Sequence, residues 1–512
     1  MNIKKMIQDM TLEEKASLCS GADFWHTEAV DRVGLKSIMV SDGPYGLRKQ
    51  EEVGNNMGWA ESILAVGFPT ASSMASSFDR DLVREVGNAL GEECQAEDVA
   101  VLLGPGINMK RSPLGGRNFE YYSEDPYVAG EIGAAFVNGV QEKKVGTSLK
   151  HFAANNQETR RMNVSAQVDE RTLRETYLTA FEQVVKKAQP WTIMCSYNRI
   201  NGTYSCENDW LLNKVLRDEW GFEGHVTSDC WAIKDFYEGH NVTKNAEESV
   251  ALAMNNGCDL NCGTLFVYLL DAVRDGLVKE ERLDEALVNL FTTRMKLGVF
   301  DKADDNPYNK ISYSVVDSPK MQELNLTAAK RCLTLLKNDQ MLPLDKEKIH
   351  TIGVIGPNAD NRMALVGNYE GTASRYVTVL EGLEDYAKEH PRADGEKMRI
   401  VYSEGCHLYK DRSSNLTQSR DRFAEVKGVC KESDVVVVCL GLDASLEGEE
   451  GDTGNEFSSG DKLDLRFPGL QNEVLEVAYE SGKPVILLVL TGSAMDLTWA
   501  DEHVNAIMQC WY

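Results

Sequence analysis

The sequence predicts an α/β protein in two parts, an amino-terminal (β/α)8 TIM-like barrel and, beyond a linker, an open α/β sheet. Three observations predict it. Short apolar runs ending abruptly in polar residues alternate with amphipathic helical stretches over about 300 residues, the length and rhythm of an α/β barrel. The same rhythm restarts after the polar, turn-prone stretch 301–310. The total of 512 residues, at roughly 150 per domain and about 250 for a barrel, makes two or three domains.

In the first part the runs are Ser37–Asp42, Val99–Gly104, Val145–Lys150, Thr192–Ser196 and His225–Asp229. Each fits a strand buried on both faces. Amphipathic helices lie between them, for example in the stretches beginning at Arg171 and Asp209. The expected division is a barrel over 1–300, a linker and connecting helix over 301–340, and the second α/β unit over 341–512. The connecting helix is expected to run through Thr327–Leu336. The second unit offers His350–Gly356, Asp434–Leu440, Val485–Leu490 and Ala506–Cys510 as central strands. Neither a repeat nor a low-complexity tract interrupts this plan.

Composition narrows the function. The chain carries 80 acidic and 54 basic side chains, a formal net charge of −26, which repels polyphosphate and anionic lipid. Nucleic acid and membrane are therefore not expected as partners. The amino terminus MNIKKMIQDMTLEEK has no apolar stretch behind its charges. The most apolar run, Lys483–Leu490, is far shorter than the roughly 20 residues that cross a bilayer. Twelve scattered cysteines are expected to be free thiols in a reducing cytoplasm. Cys258 and Cys262 have the nearest approach to metal spacing, but no second pair or histidine cluster accompanies them, so they read as buried structural thiols and no metal is expected.

Polar residues at strand ends are where a barrel does chemistry. Asp42 ends a strand before Gly43 and Pro44; it serves equally as a turn cap or as an outward carboxylate. Lys150 and His151 end another, close to Glu158 and Arg161. Such a cluster is costly to bury unless something anionic or rich in hydroxyls sits among it, the alternative being a solvated loop. Asp229 follows a strand and precedes a helix, a place for a nucleophile or a metal ligand. The acidic loop Leu446–Gly454 follows the strand that reaches Gly441; in isolation it reads as solvated surface.

Together the motifs VSDGPYGLRKQ, LLGPGINMKRSPLGGRNFEYYSEDPY, LKHFAANNQETRRM, MCSYNRING, VTSDC and LEGEEGD resemble glycoside hydrolase family 3, in particular its bacterial β-glucosidases. The resemblance runs over essentially the whole chain in family order. It implies an α/β barrel followed by an α/β sandwich with the active site between them, hydrolysis of β-linked sugars with retention, and no cofactor. By position it makes Asp229 the nucleophile, Asp42, Arg117, Lys150, His151 and Arg161 the ring that holds the sugar hydroxyls, and Tyr197 the neighbour of the nucleophile. The acid/base is a glutamate of the LEGEEGD loop. The pattern Glu-x-Glu-Gly points to Glu449, counting back from Gly460-Asp461 points to Glu450, and Glu447 becomes a hydrogen-bonding neighbour. Glu449 is chosen.

Two departures bear on the substrate. Where many members place Trp directly after the nucleophile to pack on the sugar, this chain has Cys230, and Trp231 comes next. That form resembles the branch of β-xylosidases and arabinofuranosidases. The branch, however, commonly carries Glu where this chain has Asp42, and the shorter acid leaves room for a hydroxymethyl group. The Asp-His dyad of the β-N-acetylglucosaminidases is missing from the Lys-His-Phe segment. The expectation is a cytoplasmic β-glucosidase acting on non-reducing termini. A β-xylosidase or dual β-glucosidase, β-xylosidase and arabinosidase comes second, and a non-catalytic sugar-binding protein third. Trp25 is an aglycone platform candidate. Because the family commonly continues beyond the point where Tyr512 ends this chain, the resemblance implies a truncated sandwich with an exposed last strand. Partners beyond the β-glucoside are then a second copy or a complementing C-terminal fragment.

Overall fold

The structure, a computed structural model, describes residues 3–50, 62–301, 305–410, 413–451 and 460–512. The first two residues of the amino terminus, residues 302–304 of the expected linker and residues 452–454 of the acidic loop lie outside the described residues.

Five parallel strands form the first sheet in the order β1 (Met39–Ser41), β2 (Val99–Leu102), β3 (Gly146–Phe152), β4 (Thr192–Cys195) and β5 (His225–Thr227). All five expected runs are strands. β3 is buried along its whole length, as a parallel strand covered on both faces must be. Between β1 and β2 lies helix α1 (Arg80–Ala96), started by Asp79, whose side chain accepts from the N–H groups of Asp81 and Leu82. Helix α2 (Pro126–Gln141) joins β2 to β3 and begins with Asp125 as cap and proline in its first turn. α1 and α2 pack so closely that a Cβ on Gly139 would lie 2.2 Å from the carbonyl oxygen of Arg84.

Among the described residues the closed eight-stranded barrel is not observed. Beyond β5 the ring continues there as single bridges, Thr227 to Leu260, Asn261 to Ser20 and His26 to Met39. At residues 259–261 the backbone pairing is short, Leu260 N–H donating to the Val226 carbonyl (3.0 Å) and Asn261 N–H to the Cys19 carbonyl (3.0 Å), and side chains take up neighbouring groups. The Asp259 carboxylate accepts from the N–H of Val226 and from Arg217, Arg282 and Asn289, and Asn261 Oδ1 accepts from Leu265 and Phe266.

The second sheet has six strands, β6 (Thr334–Asn338), β7 (Thr351–Ile355), β8 (Arg399–Ser403), β9 (Val435–Gly441), β10 (Val485–Leu490) and β11 (Ala506–Gln509), in the order β8-β7-β9-β10-β11-β6. All pairs are parallel except β11 with β6. The four expected strands are present, and β8 and β6 were not foreseen. The connecting helix spans Pro319–Cys332, so Thr334–Leu336, expected to continue it, instead begins β6. This also corrects the exposed last strand. β11 is paired on both sides, by β10 and antiparallel by β6, and Ala506 and Ile507 are buried.

Cysteine usage departs from expectation at one pair. Cys230 and Cys262 form a disulfide, and the other ten cysteines are free. The segments around them run side by side: Ser228 N–H donates to Leu260 O (2.9 Å), Cys262 N–H to Ser228 Oγ (2.9 Å). Their Cα atoms come within 4.7 Å, inside the reach of a disulfide. Cys258 remains a buried free thiol. Among the described residues no helix is long and apolar enough to cross a membrane, and no cluster of side chains is arranged to hold a metal ion.

Candidate active site

The expected site residues stand at the carboxyl ends of the first sheet. Asp42 follows β1, Lys150 and His151 lie in the last half of β3, Tyr197 comes two residues after β4 and Asp229 two after β5. Parallel strands all point their carboxyl ends the same way, which is why residues as far apart in sequence as Asp42 and Asp229 need no further device to converge.

Arg117 is the hub. It is buried; its Nε donates to Glu120, its Nη2 lies 3.0 Å from His151 Nε2 and its Nη1 3.0 Å from Glu449 Oε1. Because a guanidinium only donates, His151 Nε2 is the acceptor and its Nδ1–H is left to donate to Tyr121 Oη (3.1 Å). Burial, with Arg117, Lys150 and Arg161 nearby, holds His151 well below the usual range, hence neutral. Arg161 divides its guanidinium between two carboxylates, Nη1 on Glu158 Oε2 (2.8 Å) and Nη2 on Glu449 Oε2. Removing one partner from a buried pair of this kind costs about 3–5 kcal/mol.

Asp229 is buried beside this cluster. Its Oδ1 accepts from the Cys230 N–H (2.7 Å). Its Oδ2 accepts no hydrogen bond among the described residues and lies 3.8 Å from His151 Nε2. Burial and the Glu449 charge push its carboxyl up to about 6, against the pull of Arg117 and Arg161. Tyr197 packs its ring under Arg161 (4.9 Å) and donates to the Cys230 carbonyl (2.6 Å). Asp42 stands 3.9 Å from Lys150 Nζ, which is also 3.8 Å from Glu120 Oε2. Burial raises the Asp42 carboxyl while Lys150 and Arg48 oppose it.

The loop after β9 brings three glutamates to the cluster with three different fates. Glu447 is buried and accepts from the Gly492 N–H (2.9 Å) and Ser493 Oγ. Glu450 accepts from the Arg160 N–H (3.0 Å). Glu449 joins the arginines and also accepts from Tyr369 Oη. Burial alone would raise its carboxyl, but Arg117, Arg161 and Lys150 outweigh that and hold it at about 2.

Asp42, Arg117, Lys150, His151, Arg161, Tyr197, Asp229 and Glu449 are thus gathered in one place. Trp231 is adjacent but 41 % exposed, with Lys234 Nζ 5.6 Å from its ring centre. Trp25 is not part of it and is corrected as a platform, since, partly buried, it packs with Ile38 and Val40 against Val101, Leu103 and Met194. Sequence reasoning missed Glu120, Tyr121 and Tyr369. Glu120 had a signal, an acid three places after Arg117 amid aromatic residues. Tyr369 had little beyond its flanking glycines, yet its ring lies beneath Lys150 Nζ (4.8 Å) and Arg117 (5.7 Å).

The family models described as glycosyl hydrolase family 3 N terminal domain and C-terminal domain match residues 48–293 and 333–512. A thermostable β-glucosidase B from Acetivibrio thermocellus is 40 % identical over 100 % of this chain, and an exo-α-(1→6)-L-arabinopyranosidase from Bifidobacterium longum 39 % identical over 99 %. The chain spans 62 % of the length of each. The crystal structure of a β-glucosidase from Bifidobacterium adolescentis, 37 % identical, matches with a TM-score of 0.81 over 99 % of this chain and 66 % of that one.

Proposed function

Since the chain belongs to glycosyl hydrolase family 3, we propose that it is a retaining β-glucosidase, removing terminal non-reducing β-D-glucosyl residues by double displacement. One observation carries the reading. Two carboxylates far apart in sequence, Asp229 and Glu449, meet at one buried cluster: Asp229 Oδ2 lies 3.8 Å from His151 Nε2, and Arg117 links that nitrogen (3.0 Å from its Nη2) to Glu449 Oε1 (3.0 Å from its Nη1).

In this reading Asp229 Oδ2, the atom without a hydrogen bond, attacks the anomeric carbon while Glu449 protonates the departing glycosidic oxygen. A glycosyl ester on Asp229 results. Glu449, now a carboxylate, then takes a proton from water as that water attacks the anomeric carbon, and Asp229 leaves as a carboxylate. At rest Glu449 lacks the proton that the first step needs, because the arginines hold it ionised. Sugar hydroxyls supply the change: as they take hydrogen bonds from Arg117 and Arg161, Glu449 loses its counterions in a buried place and its carboxyl rises. Once protonated, Glu449 no longer raises the Asp229 carboxyl, so the nucleophile ionises more readily. Asp42 and Lys150 complete the ring around the sugar.

A β-glucosidase, β-xylosidase and arabinosidase of mixed specificity is the second reading, favoured by Cys230 where many members have tryptophan. A panel of aryl glucoside, xyloside, galactoside and arabinoside separates the two, and a higher kcat/KM on xyloside than on glucoside overturns the first. Incubation with a 2-deoxy-2-fluoro glucoside bearing a good leaving group, followed by peptide mass analysis, is expected to find the adduct on the peptide holding Asp229. A sugar-binding protein without catalysis would give no adduct.

A further inference from the structure

We propose that Asp461 is a positioning residue for the proton donor: its carboxylate fastens the returning end of the Glu449 loop to the amino-terminal part and so sets where the Glu449 carboxyl stands. The inference rests on the reading of Glu449 as the acid/base.

Both ends of the loop meet one patch of backbone. On the outgoing side the Glu450 N–H donates to Glu158 Oε2 (3.2 Å), and the Arg160 N–H donates to Glu450 Oε1 (3.0 Å). On the returning side one carboxylate collects three backbone donors: Gly116 and Glu158 donate to Asp461 Oδ1, and Thr159 to Oδ2, each at 3.0 Å. The next residue, Lys462, donates its N–H to the Leu114 carbonyl (2.8 Å). Hydrogen bonds to an ionised acceptor are about twice as strong as neutral ones.

What those donors belong to matters more than their number. Gly116 precedes Arg117, and Glu158 and Thr159 lie in the turn that ends at Arg161. Asp461 therefore ties the loop to both segments that supply the guanidinium groups on Glu449. The approach leaves no room for a side chain, because a Cβ on Gly116 would stand 2.3 Å from the Gly460 oxygen and 2.7 Å from the Gly448 oxygen. A general acid works only within hydrogen-bond reach of its proton's destination, so freeing one end of this loop strikes the protonation step first.

The test compares Asp461→Ala, Asp461→Asn and Glu449→Ala in the full chain on two glucosides. One has a 2,4-dinitrophenolate leaving group that needs no proton, the other an alkyl leaving group that does. Asp461→Ala is expected to lose about 10- to 100-fold in kcat/KM on the alkyl glucoside and little on the other, the scale of a displacement near 1 Å. Asp461→Asn, which retains an acceptor for part of the three donors, falls between wild type and Ala. Trapping of Asp229 by the fluorinated glucoside at the wild-type rate shows that fold and nucleophile are intact; if the Ala variant fails to fold, the Asn variant decides by the same comparison. Equal losses on both glucosides in a variant that traps normally, or no loss on either, overturn the inference while Glu449→Ala still discriminates. If Glu449→Ala does not discriminate either, the reading of Glu449 falls with it.

Discussion

Arg117 Nη1 reaches Glu449 Oε1 at 3.0 Å, joining the segment between β2 and α2 to the loop that follows β9. The carboxylate so held keeps its charge, and that charge, after burial, is what raises Asp229 to about 6. Since kcat/KM reports the free enzyme, activity on a dinitrophenyl glucoside should climb with pH through about 6 as Asp229 ionises. Glu449→Gln removes the like charge, so the Asp229 carboxyl falls and the acid limb moves to lower pH. A limb that stays in place or moves upward would mean that Glu449 does not act on Asp229.

Asp42 stands 3.9 Å from Lys150 Nζ, and on the proposed reading it is the shorter acid that makes room for the hydroxymethyl group of glucose. Asp42→Glu adds one methylene on that side. The ratio of kcat/KM for aryl glucoside over aryl xyloside should drop by about 10-fold or more, the usual penalty for one methylene in a fitted pocket. An unchanged ratio would remove Asp42 as the residue that selects glucose.

Legibility in the sequence followed burial. Val435–Gly441 and Val485–Leu490 were readable because a strand covered on both faces is an unbroken apolar run. β8 and β6 were not, because they are the edges of their sheet: Tyr402, Leu335 and Leu336 are exposed, and Thr334 follows a helix whose pattern its neighbours continue. The incomplete ring of the first sheet was not legible either, because around Leu260 and Asn261 the pairing shrinks to single bridges, which no periodicity records. In the site, residues at strand ends announced themselves. Tyr369 did not, since its contact with Glu449 exists only once two distant segments are folded together, and the pairing of Cys230 with Cys262 is equally a product of the fold.

Glu93 on α1 is completely buried. One of its oxygens accepts from the N–H groups of Val66 (3.2 Å) and Asp317 (2.8 Å), tying the helix to the segment that leads into the second sheet. Burial pushes its carboxyl from about 4.5 up to about 7. Between those values the folded chain keeps a proton that the unfolded chain has released, so the contribution of Glu93 to stability is greatest below about 4.5 and is lost as pH rises toward 7. The loss is on the order of 3 kcal/mol. Glu93→Gln keeps the acceptor without the charge and should flatten the change of Tm between pH 5 and 7. Identical Tm profiles for variant and wild type would refute the linkage.

The Cys230–Cys262 disulfide closes a loop of 32 positions immediately behind Asp229. Cys230 also donates its N–H to Asp229 Oδ1 and accepts from Tyr197 Oη through its carbonyl. The bond therefore acts on two properties. By restricting the unfolded chain it contributes about 2–4 kcal/mol, and by holding Cys230 it fixes the backbone that carries the nucleophile. Reduction by a thiol, or Cys262→Ser, should lower Tm and slow trapping by the fluorinated glucoside. Cys230→Ser with Cys262→Ser should lose no more than either alone, because a single covalent link is removed in every case. If thiol treatment leaves Tm and trapping rate unchanged while the free thiols increase by two, the disulfide constrains neither the fold nor the nucleophile.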